Sequence, residues 1–115
     1  IQHIPAKVLI LLDTGGENRV AKNFKVTRNT AKSLIERLQN DDQIALMQYH
    51  DKIELLSDWT NNKTELYSIL DKKMKFGRSS RFTEALGEAT DFLNKANTEN
   101  RHLVLIGDGL DSIAN

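Results

Sequence analysis

Cysteine is absent from the 115-residue chain, and no long run of apolar residues occurs in it. Without cysteine, the chain can form neither disulfide bonds nor thiolate metal sites, and its redox compartment cannot be inferred from the sequence. The longest apolar run covers only residues 8–12. A membrane-spanning helix needs about 20 apolar residues, so we expect no direct insertion into a membrane.

An excess of charge of either sign is also lacking, because 16 lysines and arginines balance 16 aspartates and glutamates. No net field therefore attracts the chain to nucleic acid, and we expect no nucleic-acid partner. Hydrophobic residues make up 39% of the chain and charged residues 28%, which is the balance of a folded globular protein. The length fits one domain, which we assign to residues 1–115.

Apolar patterns predict strands that alternate with helices. Residues 6–12 are apolar on both faces of a strand, which is typical of a central parallel strand with helices on both sides. Residues 43–50 and 53–56 predict two strands joined by the turn Asp51-Lys52, and so short a connection makes them an antiparallel hairpin. The other predicted elements are helices from about residue 17 or 19 to 38, from 61 to 74 and from 83 to 96, and a last strand at 103–106.

This order predicts an α/β fold, a Rossmann-like three-layer sandwich with a mostly parallel central sheet and one antiparallel edge strand. In such sheets, ligands bind beyond the carboxyl ends of the strands. The first and last predicted strands both run into an aspartate close to glycine, Asp13 and Asp108. If the two strands are parallel neighbours, both carboxylates lie at the same edge of the sheet.

Carboxylates at such an edge suit a hard divalent cation, Mg²⁺, Mn²⁺ or Ca²⁺, because these ions prefer oxygen ligands. Glu17, four residues after Asp13, and Ser80, in the loop before the third predicted helix, are further oxygen donors for the same site. The alternative is that Asp13 and Asp108 only cap helices and close turns, since aspartate is favoured at both places.

We expect the histidines and the single tryptophan to have structural roles. His3, His50 and His102 share no metal-ligand spacing, so we expect them to be satisfied or solvated rather than to bind a metal. Trp59 is expected to follow the third strand and to pack beneath the next helix.

A set of short segments follows a recognisable order along the chain. They are KVLILLD at 7–13, DQIALMQY at 42–49, KIELL at 52–56, NKTEL at 62–66, GRSS at 77–80, AL at 85–86 and LVLIGDG at 103–109. Together they resemble the strands, loops and helices of von Willebrand factor A-type (vWA) domains. The resemblance extends over nearly the whole chain and keeps the elements in sequence.

The vWA resemblance implies a recognition module for a protein ligand, as in cell adhesion, and not an enzyme. In the family, a divalent cation, commonly Mg²⁺, occupies a metal-ion-dependent adhesion site, and an acidic side chain of the ligand often completes its coordination. Asp13 and Asp108 match this site, and Ser80 stands where the family has threonine. Gly15 and Glu17 replace the two serines of the family's Asp-x-Ser-x-Ser motif, so we expect weakened or altered adhesion chemistry.

The resemblance also bears on the rest of the protein. Family members usually continue with another helix and further strands after the fourth strand, whereas this sequence ends at Asn115. It therefore implies a domain truncated after the fourth strand, whose remainder belongs to a longer parent protein or comes from a partner. An extracellular or periplasmic location is preferred, although members of the family also occur inside cells.

Two other functions are consistent with the residues. GDGLD at 107–111 resembles an acidic motif of haloacid dehalogenase-type phosphatases, with Asp13 as the nucleophile and Mg²⁺ as the cofactor. Those enzymes need a second acid two residues after the nucleophile to protonate the leaving group, and Gly15 occupies that position. The third reading is a purely structural vWA module without a metal.

Overall fold

The structure is a computed structural model that describes residues 4–15, 20–75, 77, 79, 81–96 and 98–106. Strands and helices alternate through this part of the chain. In order, the elements are β1 (Lys7–Asp13), α1 (Val20–Arg37), β2 (Gln43–Tyr49), β3 (Ile53–Thr60), α2 (Lys63–Lys72), α3 (Phe82–Asn94) and β4 (Arg101–Ile106).

The four strands form one sheet in the order β3-β2-β1-β4. β1 runs parallel to both β2 and β4, and β3 runs antiparallel to β2. The predicted mostly parallel sheet with one antiparallel edge strand is therefore confirmed. Within the described residues, β3 and β4 occupy the two edges.

Apolar side chains on both faces explain why β1 and β2 lie at the centre of the sheet. Residues 8–12 of β1 and 44–47 of β2 are all buried. A strand with this composition has no face that favours water, so it is stable only between two covering layers.

Helices supply those two layers. On one face, α1 and α2 pack against alternate residues of β1 and β2, and the contacts include Ala31, Ile35, Leu66, Leu70, Val8, Ile10, Leu12, Ile44 and Leu46. On the other face, α3 packs through Ala85 and Ala89 against the intervening residues, such as Leu9 and Met47. The predicted α/β three-layer sandwich is thus confirmed. No helix in the described part of the chain is both long and apolar enough to cross a membrane.

The third strand is longer than its sequence pattern predicts. The prediction ended it at residue 56, but β3 continues to Thr60. Its later residues are mostly polar because β3 is an edge strand with one partly solvated face, and its pairing with β2 is irregular between Ile44 and Met47. The other predicted element ends lie within two residues of the observed ones, apart from the start of the first helix, which borders undescribed residues 16–19.

Trp59 corrects one expectation. It lies within β3 rather than after it, and its ring stacks on Phe92 of α3 with centroids 5.2 Å apart. The amino group of Lys7 lies 5.4 Å from the same ring, a cation–π contact. Trp59 therefore packs as expected, but against α3 on the opposite face of the sheet from the helix that follows it.

Candidate ligand-binding end of the sheet

The carboxyl ends of the parallel strands β1, β2 and β4 lie at the same end of the sheet. Leu12 of β1 pairs with Ile106 of β4, and Asp13 pairs with Tyr49 of β2. The condition that the first and last strands are parallel neighbours is therefore met. Asp108, two residues beyond β4, lies outside the described residues, and so do Glu17 and Ser80.

Asp13 is the predicted ligand that the structure describes. It is the last residue of β1, and only 8% of its surface is exposed. Its Oδ1 accepts a hydrogen bond from the backbone N–H of Gly15 at 3.1 Å. This bond closes the turn after the strand, which is part of the capping role considered for Asp13 from the sequence.

Thr14 fastens this turn to the neighbouring strand. Its backbone N–H and its hydroxyl both donate to the carbonyl oxygen of Tyr49, at 3.0 and 3.2 Å. Its own carbonyl accepts from the N–H of Gly77 at 3.2 Å. The residue after Asp13 therefore joins β1, β2 and the loop between α2 and α3.

That loop, which the structure describes at Lys75, Gly77 and Ser79, has two further attachments. The N–H of Lys75 donates to Oε1 of Gln48 at 3.0 Å, and the N–H of Ser79 donates to Oδ1 of Asp51 at 2.7 Å. The hydroxyl of Ser79 donates to the same oxygen of Asp51. The loop thus contacts β1, β2 and the β2–β3 turn at the edge where Asp13 lies.

Gly77 allows the loop to approach the hairpin closely. A Cβ atom at this position would lie 2.9 Å from Nδ1 of His50 and 3.0 Å from Oδ2 of Asp51. Contacts this short do not fit a side chain, so glycine is required unless the hairpin shifts.

A polar network lies beneath the loop. Gln48 has no exposed surface, and His50 is only 7% exposed. Nε2 of Gln48 and Nε2 of His50 each lie 3.1 Å from Oε1 of Glu54. Nδ1 of His50 accepts from the N–H of Lys52 at 3.3 Å, which leaves Nε2 to donate to Glu54. His50 is therefore a satisfied, buried side chain.

This network also acts on the ionisation of Glu54. Partial burial raises the pKa of its carboxyl, but the hydrogen bonds from Gln48 and His50 and the positive charge of Lys75 outweigh burial. The net effect lowers the pKa below its ordinary value of 4.5. Glu54 is therefore held in its charged, hydrogen-bond-accepting form.

Metal-ligand clusters are missing from the described residues, in which no group of three or more histidine, cysteine or acidic side chains could hold an ion. His102 is exposed, and its Nε2 lies 2.9 Å from Oδ1 of Asn100.

Sequence reasoning identified Asp13 but missed the residues that arrange its surroundings: Thr14, Gln48, Asp51, Gly77 and Ser79. The available signals were the polar Gln48 inside an otherwise apolar strand and the glycine at residue 77. Neither signal identifies its partner in this arrangement, because Gln48 bonds Lys75 and Gly77 bonds Thr14, residues that are distant in the sequence.

Comparison with known families decides which fold family this is. The family model of the von Willebrand factor type A domain matches residues 8–110. The chain belongs to this family. vWA domains are in general interaction modules rather than enzymes, and they can bind divalent metals at their adhesion site. No curated protein matches the chain in sequence.

Solved structures share the vWA fold with this chain. The vWF domain of the type V pili tip protein Mfa5 from Porphyromonas gingivalis is 17% identical with a TM-score of 0.79, over 96% of this chain and 40% of that one. The PilB minor pilin from Streptococcus sanguinis is 13% identical with a TM-score of 0.76, over 96% of this chain and 31% of that one. Proximal thread matrix protein 1 from the mussel byssus, with a zinc-occupied MIDAS motif, is 17% identical with a TM-score of 0.68, over 88% and 28%.

These identities establish similarity of fold alone. The vWA chain spans less than half of each of the three matched proteins.

Proposed function

We propose that this vWA domain recognises a protein ligand at the carboxyl end of its sheet, with a divalent cation held around Asp13. The observation that carries the proposal is the parallel pairing of β1 with β4, in which Leu12 lies opposite Ile106. This pairing supports the convergence of Asp13 and Asp108 on one site, because Asp13 follows Leu12 directly and Asp108 comes two residues after Ile106 in the sequence.

The proposed donors are Asp13, Glu17, Ser80 and Asp108. All four offer oxygen, so the set suits Mg²⁺, Mn²⁺ or Ca²⁺ better than a thiolate- or imidazole-preferring metal. The bound ion would supply positive charge to attract an acidic side chain of the ligand. Three carboxylates exceed the charge of one divalent ion, so we infer weaker attraction of an acidic ligand than at a site with serine in place of Glu17.

The similar structures support the setting of this function. A pilus tip protein, a minor pilin and a byssal matrix protein carry domains of the same fold within longer chains. We therefore propose that this domain is part of a larger protein and works outside the cell or in the periplasm.

The test is a calorimetric titration of the domain with Mg²⁺, Mn²⁺ and Ca²⁺, with Asp13→Ala as the variant. We expect the wild type to bind at least one ion and the variant to bind it about 100-fold more weakly, since changing even an outer partner of a metal ligand costs roughly 10- to 100-fold. Circular dichroism should show that the variant remains folded.

Asp58→Ala is the matched control. Asp58 is an exposed residue near the end of β3, where Thr60 pairs with Ile44 at the opposite end of β2 from Tyr49. Its loss should leave the affinity unchanged. Equal affinities of wild type and Asp13→Ala would refute the role of Asp13, and no heat of binding from the wild type would refute the cation.

A structural vWA module without a metal is the second candidate. It is favoured by the bond between Asp13 and Gly15, since this bond gives the carboxylate a role in the turn that needs no ion. Under this alternative, Asp13→Ala lowers the free energy of unfolding, and none of the three cations raises the melting temperature of the wild type. Ligand-induced stabilisation scales with occupancy, so a thermal shift separates the two candidates.

A further inference from the structure

The β2–β3 turn and the loop that contains Lys75, Gly77 and Ser79 are joined by an exposed polar contact that we call the loop clip. The clip consists of Asp51 in the turn and Ser79 in the loop. One oxygen of Asp51, Oδ1, accepts both the backbone N–H of Ser79 at 2.7 Å and its hydroxyl. Two donors on one carboxylate oxygen form a charge-assisted pair of hydrogen bonds, which is stronger than a neutral pair.

The clip acts on a loop that is also attached to the turn after Asp13. The N–H of Gly77 donates to the carbonyl of Thr14, and Thr14 in turn donates twice to Tyr49. The loop therefore lies directly against the proposed ligand end. In the sequence, the proposed donor Ser80 is the next residue after Ser79, and consecutive Cα atoms are only about 3.8 Å apart.

Close packing leaves the clip little freedom. A Cβ on Gly77 would lie within 3.0 Å of both His50 and Asp51, so the loop backbone rests on the same turn that carries the clip. A loop held this closely has few alternative positions while Asp51 holds Ser79. Without the clip, the loop keeps its bonds to Thr14 and Gln48 but loses the attachment nearest to Ser80.

We propose that Asp51 is a positioning residue for the ligand end: through the loop clip it holds the loop of Lys75, Gly77 and Ser79 against the turn that follows Asp13. The inference rests on the proposed cation site and adds control of that site from the β2–β3 turn. Because coupling between two equilibria is reciprocal, a cation that binds better with the clip closed must also favour closure of the clip.

The test compares Asp51→Ala and Asp51→Asn with the wild type by calorimetric titration with Mg²⁺. We expect Asp51→Ala to weaken Mg²⁺ binding by about 3- to 10-fold, at the lower end of the effects known for outer partners of metal ligands. Asp51→Asn should recover most of the affinity, because its amide oxygen still accepts both bonds from Ser79. Asp58→Ala, an exposed aspartate distant from the loop, should bind as the wild type does.

Amide hydrogen exchange at Ser79 supplies the second readout. In the wild type, Mg²⁺ should slow exchange of this amide by a factor of about 3 to 10, matching the affinity change through reciprocity. In Asp51→Ala, Mg²⁺ should leave the exchange rate unchanged. A purely structural clip would speed exchange at Ser79 in the variant but leave Mg²⁺ affinity intact.

The outcomes separate this inference from the function on which it rests. Wild-type Mg²⁺ binding that is equal in Asp51→Ala overturns the positioning role and preserves the cation site. Absence of binding by the wild type overturns both. If Asp51→Ala does not fold, Ser79→Ala, which removes only the hydroxyl donor, carries the same comparison with Mg²⁺.

Discussion

Single buried polar residues fix the position of the strands in this vWA domain. Asp42 is 3% exposed, and its two carboxylate oxygens accept the N–H groups of Ala6 and Gln39, both at 2.9 Å. It therefore ties the start of β1 to the turn that precedes β2. Hydrogen bonds to a charged group are worth more than neutral ones, and a buried N–H that loses its partner is costly.

Replacing Asp42 with alanine should lower the free energy of unfolding by about 2–4 kcal/mol, because two backbone donors lose a charged acceptor. Urea denaturation followed by circular dichroism measures this change. Asp91→Ala, on the exposed side of α3, is the control and should change the free energy of unfolding by no more than about 0.5 kcal/mol. An equally small effect at Asp42 would contradict the role of these bonds.

At the scale of the element, the ends of α1 and α2 depend on each other. The amino group of Lys63, the first residue of α2, donates to the carbonyl oxygens of Glu36 and Leu38 at the end of α1. The C-terminal end of a helix carries unpaired carbonyls and a partial negative charge, so a lysine at the end of α1 is favourable. Lys32 and Asp71 add an ion pair between the two helices at 2.6 Å.

Lys63→Met should lower the free energy of unfolding by about 1 kcal/mol, since it keeps the aliphatic chain but removes the charge at the end of α1. Chemical denaturation at low and high salt is the measurement, and the effect should shrink as salt screens the helix charge. Lys25→Met, on an exposed part of α1, is the control. A loss as large as that of Lys63→Met in the control would show that lysine charge in general, rather than this contact, is responsible.

The elements that are buried most completely could be predicted from the sequence. β1 and β2 are buried on both faces and therefore appear as continuous apolar runs, whereas α1 is buried on one face and shows an apolar stripe with the period of a helix. β3 was predicted too short because an edge strand buries only part of its length, so its polar residues 57, 58 and 60 resemble a loop.

Residues of the candidate site could be predicted only where a side chain with metal-binding chemistry stands at the end of a predicted strand. Asp13 was selected because it ends a buried strand, two residues before a glycine. Asp51 and Thr14 were not, because their contacts with Ser79 and Gly77 depend on how a distant loop folds back. An aspartate in a hairpin turn has the same sequence context whether it binds solvent or a loop 28 residues away.

At the scale of the whole molecule, the sheet has an interior and two edges. β1 and β2 each pair with strands on both sides, while β3 and β4 each pair on one side within the described residues. Residues 101 and 102 of β4 are exposed and 103–105 half-buried, in contrast to the buried residues 8–12 of β1. Resistance to local opening should therefore differ between the centre and the edges.

Hydrogen exchange of the whole domain should be slowest in β1 and β2, where opening requires global unfolding, and faster in β3 and β4. Exchange monitored by nuclear magnetic resonance under native conditions gives the opening free energy of each amide. If amides along all of β4 exchange as slowly as those of β1, the outer side of β4 is covered by a further chain segment, and the edge assignment is wrong for the intact domain.

The uniform apolarity of β1 has a consequence for how the sheet is assembled. A strand that is apolar on both faces of the sheet loses little burial if its register shifts by one residue. Every side chain then points to the opposite face of the sheet. The correct register must therefore come from hydrogen bonds at the two ends of the strand. The N–H of Ala6 donates to Asp42, and the N–H of Thr14 donates to the carbonyl oxygen of Tyr49. Burial of the apolar residues in the middle of β1 stabilises the sheet, and these two polar contacts determine which side chains point to which helical layer.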